Sequence, residues 1–438
     1  MKHERIAAAS AKPRVDHIPG EDGLPIVGTL PEQLRDPWAF ALKMVARHGH
    51  IFRTRMFGRH WVILLGPEAN ELVLFDRDKV FSSELGWAPM LDRVFPRGLM
   101  LMDGEQHRAH RRILSVAFKP APMARYAEAM KAGIAERIAQ WSGRGILFYP
   151  EIKQLTLDLA ATSFLGIPLG PEASRINRAF MDEVAASVGV VRWPLPFTAM
   201  GRGVAGRRYL IDLFKREVPK RRESDGEDLF SQICRATDEE GRHLDPQQIA
   251  DHMNFLMMAA HDTITSSMTT MMWQLGLHPE WQDRLREEAR ENEADRLPLT
   301  EQAFKESLRM LSPVPSLPRR AVKPFSFGGY DIPAGVGVSV SPNFVHKMEE
   351  VWPEPDRFDP TRFDPEQVRA RHKYAWVPFG GGAHMCLGLH FAMLQARIFM
   401  HALLPGHRIR LTGAQPTRWQ AWPIPKPRDG LPLRLERL

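Results

Sequence analysis

The residues with the most specific chemistry lie late in the chain, in Phe379-Gly380-Gly381-Gly382-Ala383-His384-Met385-Cys386-Leu387-Gly388. Three consecutive glycines let the backbone turn tightly and approach a flat ligand closely. Cys386 then starts an amphipathic helix read as about 386–404. A helix dipole and loop N–H groups favour a thiolate at such a position. Gly388 removes a side chain that would collide with anything lying against the sulfur. A lone cysteine set this way suits an axial ligand to a haem iron, where thiolate donation promotes O–O cleavage. The only other cysteine is Cys234, which excludes a disulfide scaffold and a multi-cysteine zinc or iron–sulfur site. A buried inert cysteine beside a glycine turn would leave the glycine spacing unexplained.

The segment fits F-x-x-G-x-x-x-C-x-G. With 23 Phe, 32 Gly and 2 Cys in the chain, chance produces such a match in about one sequence in 2,000. It resembles the signature of the cytochrome P450 haem-thiolate monooxygenases, and the resemblance extends over nearly the whole chain. Glu306 and Arg309 are similar to the family's E-x-x-R pair; Pro313-Val314-Pro315 follows, as does Pro360-Thr361-Arg362-Phe363, with Thr361 in a usually acidic position. The resemblance implies that Glu306, Arg309 and Arg362 form a buried ionic triad holding the haem-side loop. Glu287…Arg290, Glu293…Arg296 and Glu32…Arg35 share the spacing and read as surface pairs.

Further site residues follow from the same resemblance. Asp262-Thr263, in Ala259-Ala260-His261-Asp262-Thr263, resembles the acid–alcohol pair, implying proton delivery to iron-bound dioxygen. The alternative is a solvated Asp262, with Thr263 bonding back to the preceding turn. His107 and Arg111, at i and i+4, are expected on the haem propionates, with Arg108 and Arg112 a solvated basic face. Arg319, ten residues before Gly329, and His384 are the other propionate candidates, ahead of Arg320. Phe379 and Gly388 complete the cofactor-binding set. His261 lacks a second ligand at suitable spacing and reads as a packed histidine.

The implied substrate pocket draws on Trp87, Met90, Leu91 and Leu99 from the loop Ser82–Met102. Phe255, Met258 and Ala259 come from a long helix, Val314 and Ser316 follow the E-x-x-R helix, and Ile424 lies in a late turn. The Ala259–Ser267 and Ile51–Gly58 stretches look like the branch holding sterol demethylases and retinoid hydroxylases. That implies a long or polycyclic apolar substrate: a terpenoid, steroid, retinoid or fatty-acid-like molecule. The expected reaction inserts one oxygen atom of O₂ and uses haem b. Electrons would come from NAD(P)H through a ferredoxin or flavodoxin and its reductase, since no flavin or iron–sulfur segment is present. A peroxide-driven hydroxylase and a non-catalytic haem sensor are the alternatives.

The elements that must position these residues are mainly α-helical with a minor β portion. The family fold implies a long central helix over the haem and the cysteine loop on the opposite face. One domain over 1–438 is expected, β-rich at about 20–80 and helical at about 103–311 and 386–404. Apolar–polar alternation over residues 51–75 gives strand signals that end at Gly66-Pro67. Asp245 and Pro246 open a helix over 246–277 of roughly 48 Å, its apolar residues at helical spacing. A second helix fits 300–311, capped by Thr300 and stopped at Ser312-Pro313, with strand-like segments over 320–341.

Lys and Arg total 59 against 52 Asp and Glu, a net charge of +7. The charges are scattered without a stripe of interleaved aromatics, which speaks against nucleic acid. Lys220-Arg221-Arg222 reads as an exposed loop. A basic face near the cysteine suits an acidic electron carrier. No apolar window is long enough for a transmembrane helix, and Ile6–Ala9 is too short for a signal peptide core. A soluble, cytoplasmic protein of bacterial type is expected.

Overall fold

The computed structural model describes residues 13–56, 58–189 and 191–438; the reading on Ile6–Ala9 lies outside them. In chain order the helices are α1 Leu30–Arg35, α2 Pro37–His48, α3 Pro67–Phe75, α4 Ser83–Leu91, α5 Gly104–Ser115, α6 Pro120–Trp141, α7 Phe148–Leu165 and α8 Pro171–Ser187. They continue as α9 Ala199–Glu223, α10 Leu229–Arg235, α11 Pro246–Leu277, α12 Pro279–Glu291, α13 Pro298–Met310, α14 Pro342–Val345, α15 Pro365–Ala370 and α16 Leu389–Leu403. The strands are β1 Gly20–Glu21, β2 Ile51–Met56, β3 Arg59–Leu64, β4 Phe81–Ser82, β5 Gly145–Leu147, β6 Leu317–Ala321, β7 Phe325–Phe327, β8 Tyr330–Ile332, β9 Gly337–Val340, β10 His407–Leu411, β11 Trp419–Gln420, β12 Lys426–Pro427 and β13 Pro432–Arg437. The protein is mainly helical with minor sheet. No helix among the described residues is long and apolar enough to cross a membrane.

The chain falls into two compact units. The first comprises the chain up to Pro89, Val314–Asp356 and Arg369–Met385. Its six-stranded sheet runs β1-β2-β3-β9-β6-β4. The antiparallel β2–β3 hairpin pairs Phe52 with Ile63 and Thr54 with Trp61. Alternation buries Phe52 and Thr54 on one side and Val62 and Leu64 within the unit. All four residues of β9 are buried, as expected of a strand covered on both faces. Val62, Leu64, Val73, Leu74, Phe81, Val338 and Val340 form its core. The strand signals do end at Gly66-Pro67, where Pro67 opens α3.

The second unit comprises Met90–Pro313, Arg357–Val368 and Cys386–Leu438. It packs helices around α11, which contacts α7, α9 and α13, and carries a small sheet β10-β13-β5. The α11 boundaries are the expected ones. Asp245 accepts from the Gln248 N–H at 2.8 Å, and the Gln248 side chain accepts from the Asp245 N–H at 2.9 Å, a complete capping box. Most of α11 is buried all round, as befits a helix with neighbours on several sides.

Three expectations about elements are corrected. Helix α13 starts at Pro298, so Thr300 lies in its first turn; the Thr300 hydroxyl donates to Glu288 at 2.7 Å and does not cap its own helix. Lys220-Arg221-Arg222 form the last turn of α9 and are not a loop. Arg221 pairs with Asp228, the N-cap of α10, at 2.7 Å, and Arg222 donates to the Leu244 carbonyl just before α11 at 2.6 Å. Residues 82–102 are not plain loop: they hold α4 and the 3₁₀ turn Leu99–Leu101.

Candidate active site

The cysteine segment is built by close packing of backbone. Gly382 has φ +61°, and a Cβ there would come within 1.9 Å of the Leu74 carbonyl oxygen. Only glycine fits, so the loop is locked over α3. Cys386 is not the first residue of the following helix. It lies three residues before Leu389, with Gly388 as N-cap, and the Gly388 N–H donates to its sulfur. Burial pushes the Cys386 thiol up, while the Gly388 N–H and the Arg111 charge favour the thiolate. Cys386 keeps accessible surface, yet protein surrounds it closely enough for burial to dominate. A thiol in that setting is turned into a thiolate by a coordinated metal cation.

Arg111 is half-buried on α5 and makes no ion pair among the described residues. Burial pulls its pKa down and the Cys386 sulfur pulls it up. A buried guanidinium without a carboxylate is costly unless an anion completes it. His107 lies one turn earlier on α5 and is buried. Between them His110 meets His252 of α11 at 2.7 Å, ring nitrogen to ring nitrogen. Burial lowers the pKa of both, that of His252 to about 3, so the pair is neutral. Arg108 pairs with Glu105 at the surface and Arg112 with Glu239. The donor set therefore fits a haem: a sulfur for the iron, and a cation and an imidazole suited to its carboxylates.

Within the first unit, Arg319 is buried in β6 and donates to the Pro318 carbonyl at 2.9 Å. Gly86 of α4 lies so close that a Cβ would come 2.6 Å from the Arg319 Cα. Trp87 follows Gly86, half-buried. Arg320 is partly buried, its pKa lowered by burial and by Arg59. Phe379 packs edge-on to Trp376, and His384 ends the 3₁₀ turn Gly382–His384. Val314 and Ser316 are half-buried.

On α11, Met258, Ala259, Ala260 and Thr263 keep partial exposure amid buried neighbours, marking the face that can meet a ligand. The Thr263 hydroxyl donates to the Ala259 carbonyl at 2.8 Å, bonding back to the preceding turn. Asp262 is not solvated. It is buried, and its Oδ1 lies 3.0 Å from the Lys153 Nζ of α7 and 3.1 Å from the His261 Nε2. His261 is packed and buried; no group of three or more metal-ligating side chains occurs among the described residues. Helix α11 is uninterrupted through this stretch, in keeping with Ala260 in place of glycine.

The ionic triad is present in full. Glu306 Oε2 accepts from Arg309 Nε at 2.7 Å and Oε1 from Arg309 Nη2 at 2.9 Å. Arg362 Nε lies 3.4 Å from Oε1, and the Asp359 N–H donates to it at 2.9 Å. Burial pushes the Glu306 carboxyl up while these partners pull it down. Thr361, in the acidic position, bonds Asp359 at 2.6 Å.

Of the apolar pocket candidates, Phe255 packs edge-on to Phe95 at 6.4 Å. Gly98 lies against the Phe255 ring, where a Cβ would come within 2.3 Å. The turn holding Ile424 is tied to α11 by the Ser266 hydroxyl, which donates to the Pro425 carbonyl at 2.6 Å. Met90 and Leu91 end α4 and Leu99 opens the 3₁₀ turn. Sequence reasoning missed Lys153, Gly98 and the His110–His252 pair. Their partners lie 109, 157 and 142 positions away, and no local spacing signals them.

Residues 18–423 match the family model described as Cytochrome P450. A Mycobacterium tuberculosis protein carrying the name cytochrome P450 136 is 36% identical over 439 residues, covering 95% of this chain and 88% of its own. Beta-amyrin 28-monooxygenase of Vitis vinifera is 28% identical, with 95% and 91% covered. The solved structure of retinoic acid-bound cyanobacterial CYP120A1 superimposes with a TM-score of 0.88 at 28% identity, covering 98% of this chain and 99% of that one. The family-model match over residues 18–423 and these likenesses show that the chain belongs to the cytochrome P450 family of haem monooxygenases.

Proposed function

We propose that this monooxygenase hydroxylates a long or polycyclic apolar molecule of the terpenoid, steroid, retinoid or fatty-acid-like kind. Electrons come from NAD(P)H through an acidic ferredoxin or flavodoxin and its reductase. The observation that carries the reading is Cys386: a thiol that accepts the Gly388 N–H and faces the charge of Arg111, which has no ion pair among the described residues. Haem bound there supplies an iron whose thiolate ligand promotes O–O cleavage. Cys386 donates the sulfur, and the Gly388 N–H tempers its charge. His107 and Arg111 would hold the carboxylates of the haem, Arg319 and His384 are the further candidates for them, and Phe379 packs on Trp376 in the loop that carries His384.

Thr263 spends its proton on the Ala259 carbonyl. Its remaining lone pairs can only accept, so it holds a proton-bearing water or acid in place. Asp262 carries protons to that point, kept in position by Lys153, whose half-buried ammonium reaches solvent. Met258, Ala259 and Phe255 offer apolar surface that excludes water. The apolar substrate class is supported by this surface, by the sequence likeness to a beta-amyrin monooxygenase and by the structural likeness to a retinoic acid-bound protein.

The test is the carbon monoxide difference spectrum of the dithionite-reduced holoprotein. A strongly red-shifted Soret band is expected, and it should vanish in Cys386→Ala. A haem band without that shift in the parent protein would overturn the thiolate assignment. A spin-state shift on adding terpenoids, steroids, retinoids or fatty acids then identifies the substrate class.

A further inference from the structure

Two buried oxygens where α8 meets α11 have nothing to bond. Glu183 of α8 and Asn254 of α11 are both buried, at 0% and 1% exposure. Asn254 Nδ2 donates to Glu183 Oε2 at 2.7 Å and lies 3.4 Å from the Val94 carbonyl. Glu183 Oε1 and Asn254 Oδ1 have no hydrogen-bond partner among the described residues. The large majority of buried side-chain polar atoms are paired, and each exception calls for a reason. Here two exceptions fall on side chains that already bond each other.

The pair is held firmly. A Cβ on Gly203 of α9 would come 3.3 Å from the Glu183 Cα and 2.3 Å from the Ala186 Cβ, so α8 rests directly on α9. Asp251, three residues before Asn254, is buried and accepts from Arg207 Nη2 at 2.7 Å. Arg97 Nε lies 2.8 Å from its other oxygen. Asp251 thereby answers the Arg207 charge, the cation that acts on Glu183. Burial outweighs that charge and raises the Glu183 pKa well above the ordinary carboxylate value. Glu183 is thus a neutral acid. Its Oε2 accepts from Asn254, so its proton belongs on Oε1.

The pair then offers one unspent donor, Glu183 Oε1–H, and one unspent acceptor, Asn254 Oδ1. A hydroxyl group supplies one acceptor and one donor. A carboxylate or a ketone only accepts and would set its oxygen against Asn254 Oδ1. A hydrocarbon would leave both atoms unpaired. The position suits the end of a substrate. Partial exposure on α11 begins at Met258, one turn after Asn254. Nine residues separate Asn254 from Thr263, about 13 Å along the helix. That distance measures out a long or polycyclic molecule.

On the reading of an apolar substrate given above, we propose that Glu183 and Asn254 bind a hydroxyl group of the substrate, at the end remote from the carbon that is oxidised. The acid donates to the hydroxyl oxygen, and the amide oxygen accepts the hydroxyl proton. The pair selects alcohols of the sterol, triterpenol, retinol or long-chain kind over the matching acids, ketones and hydrocarbons. The test is spin-state titration of the holoprotein with matched probes. These are cholesterol with its 3-keto and 3-deoxy analogues, β-amyrin with its 3-deoxy analogue, retinol with retinoic acid, and hexadecanol with palmitic acid. An alcohol is expected to bind roughly tenfold or more tighter than its partners. Glu183→Leu and Asn254→Leu should each erase that preference, and Glu183→Gln, whose N–H still donates, should keep most of it. A merely structural pair would weaken alcohol and hydrocarbon alike and leave their ratio unchanged. The red-shifted carbon monoxide band checks that each variant keeps its site. Should a leucine variant lose the band, the ratios in the parent protein and in Glu183→Gln still decide. Equal binding of an alcohol and its hydrocarbon, tighter binding of the acid, or a preference that survives both leucine variants overturns the proposal and leaves the apolar-substrate reading in force. No spin-state shift with any probe, the carbon monoxide band being intact, overturns both.

Discussion

At Thr263 the hydroxyl has one proton and the Ala259 carbonyl takes it. A serine can repeat that bond, whereas alanine cannot hold the accepted proton donor. Thr263→Ala should therefore keep haem and substrate binding but divert reductant into peroxide, and Thr263→Ser should stay largely coupled. The ratio of product to NAD(P)H consumed is the measurement, and a fully coupled alanine variant would remove Thr263 from the proton path. Lys153 acts one step further out. It is the cation beside a buried Asp262, with a side chain 27% exposed, so solvent screens part of its worth. Lys153→Met should cost about 1–2 kcal/mol and slow proton-limited turnover, and Lys153→Arg should restore both. Denaturant midpoints and the solvent isotope effect read the two consequences separately.

At the scale of elements, buried charges tie helices to their neighbours. Glu306 of α13 answers Arg309 and Arg362 together. Glu306→Gln leaves two buried cations without a counter-charge, a loss of about 3–5 kcal/mol visible in chemical denaturation. Glu183 of α8 behaves in the opposite sense. Burial raises its pKa well above the ordinary carboxylate value, although the Asn254 amide donates to it at 2.7 Å and Arg207 is near. The folded protein therefore keeps this proton to a higher pH than the unfolded chain. The contribution to stability is full below the usual carboxylate range and is lost as pH rises through the folded value. Glu183→Gln should raise the Tm by a few degrees at alkaline pH and change little near pH 4. A parallel pH profile for the two proteins would contradict the buried neutral acid.

At the scale of the whole molecule, what could be read in advance was what is local along the chain. The cysteine motif, the i,i+3 pair Glu306–Arg309 and the Asp245 N-cap each lie within ten residues; spacing carries the first and last, and the following Pro313-Val314-Pro315 singles out Glu306–Arg309 among the pairs that share its spacing. The residues that compensate buried groups come from distant segments: Lys153 for Asp262, Asn254 for Glu183, and His252 for His110. Packing decides those partners, and a single sequence holds no record of it. The burial that opposes the Cys386 thiolate was illegible for the same reason, since it depends on everything folded around the sulfur. Net charge is the one global property visible from composition. At +7, with Arg108 and Arg112 exposed on the helix that carries Arg111, the charge is of the sign that the proposed acidic electron carrier requires. Their bonds to Glu105 and Glu239 are exposed pairs of small worth, so they can be exchanged for a partner's carboxylates. Steering of this kind works over about 10 Å at 0.1 M salt and shortens as salt rises. The second-order rate of reduction by an acidic ferredoxin should thus fall at least tenfold between low and high salt. Arg108→Glu with Arg112→Glu should lower the rate at low salt and flatten the dependence. Stopped-flow reduction under carbon monoxide measures both, and a rate indifferent to salt would show that the carrier does not dock through these charges.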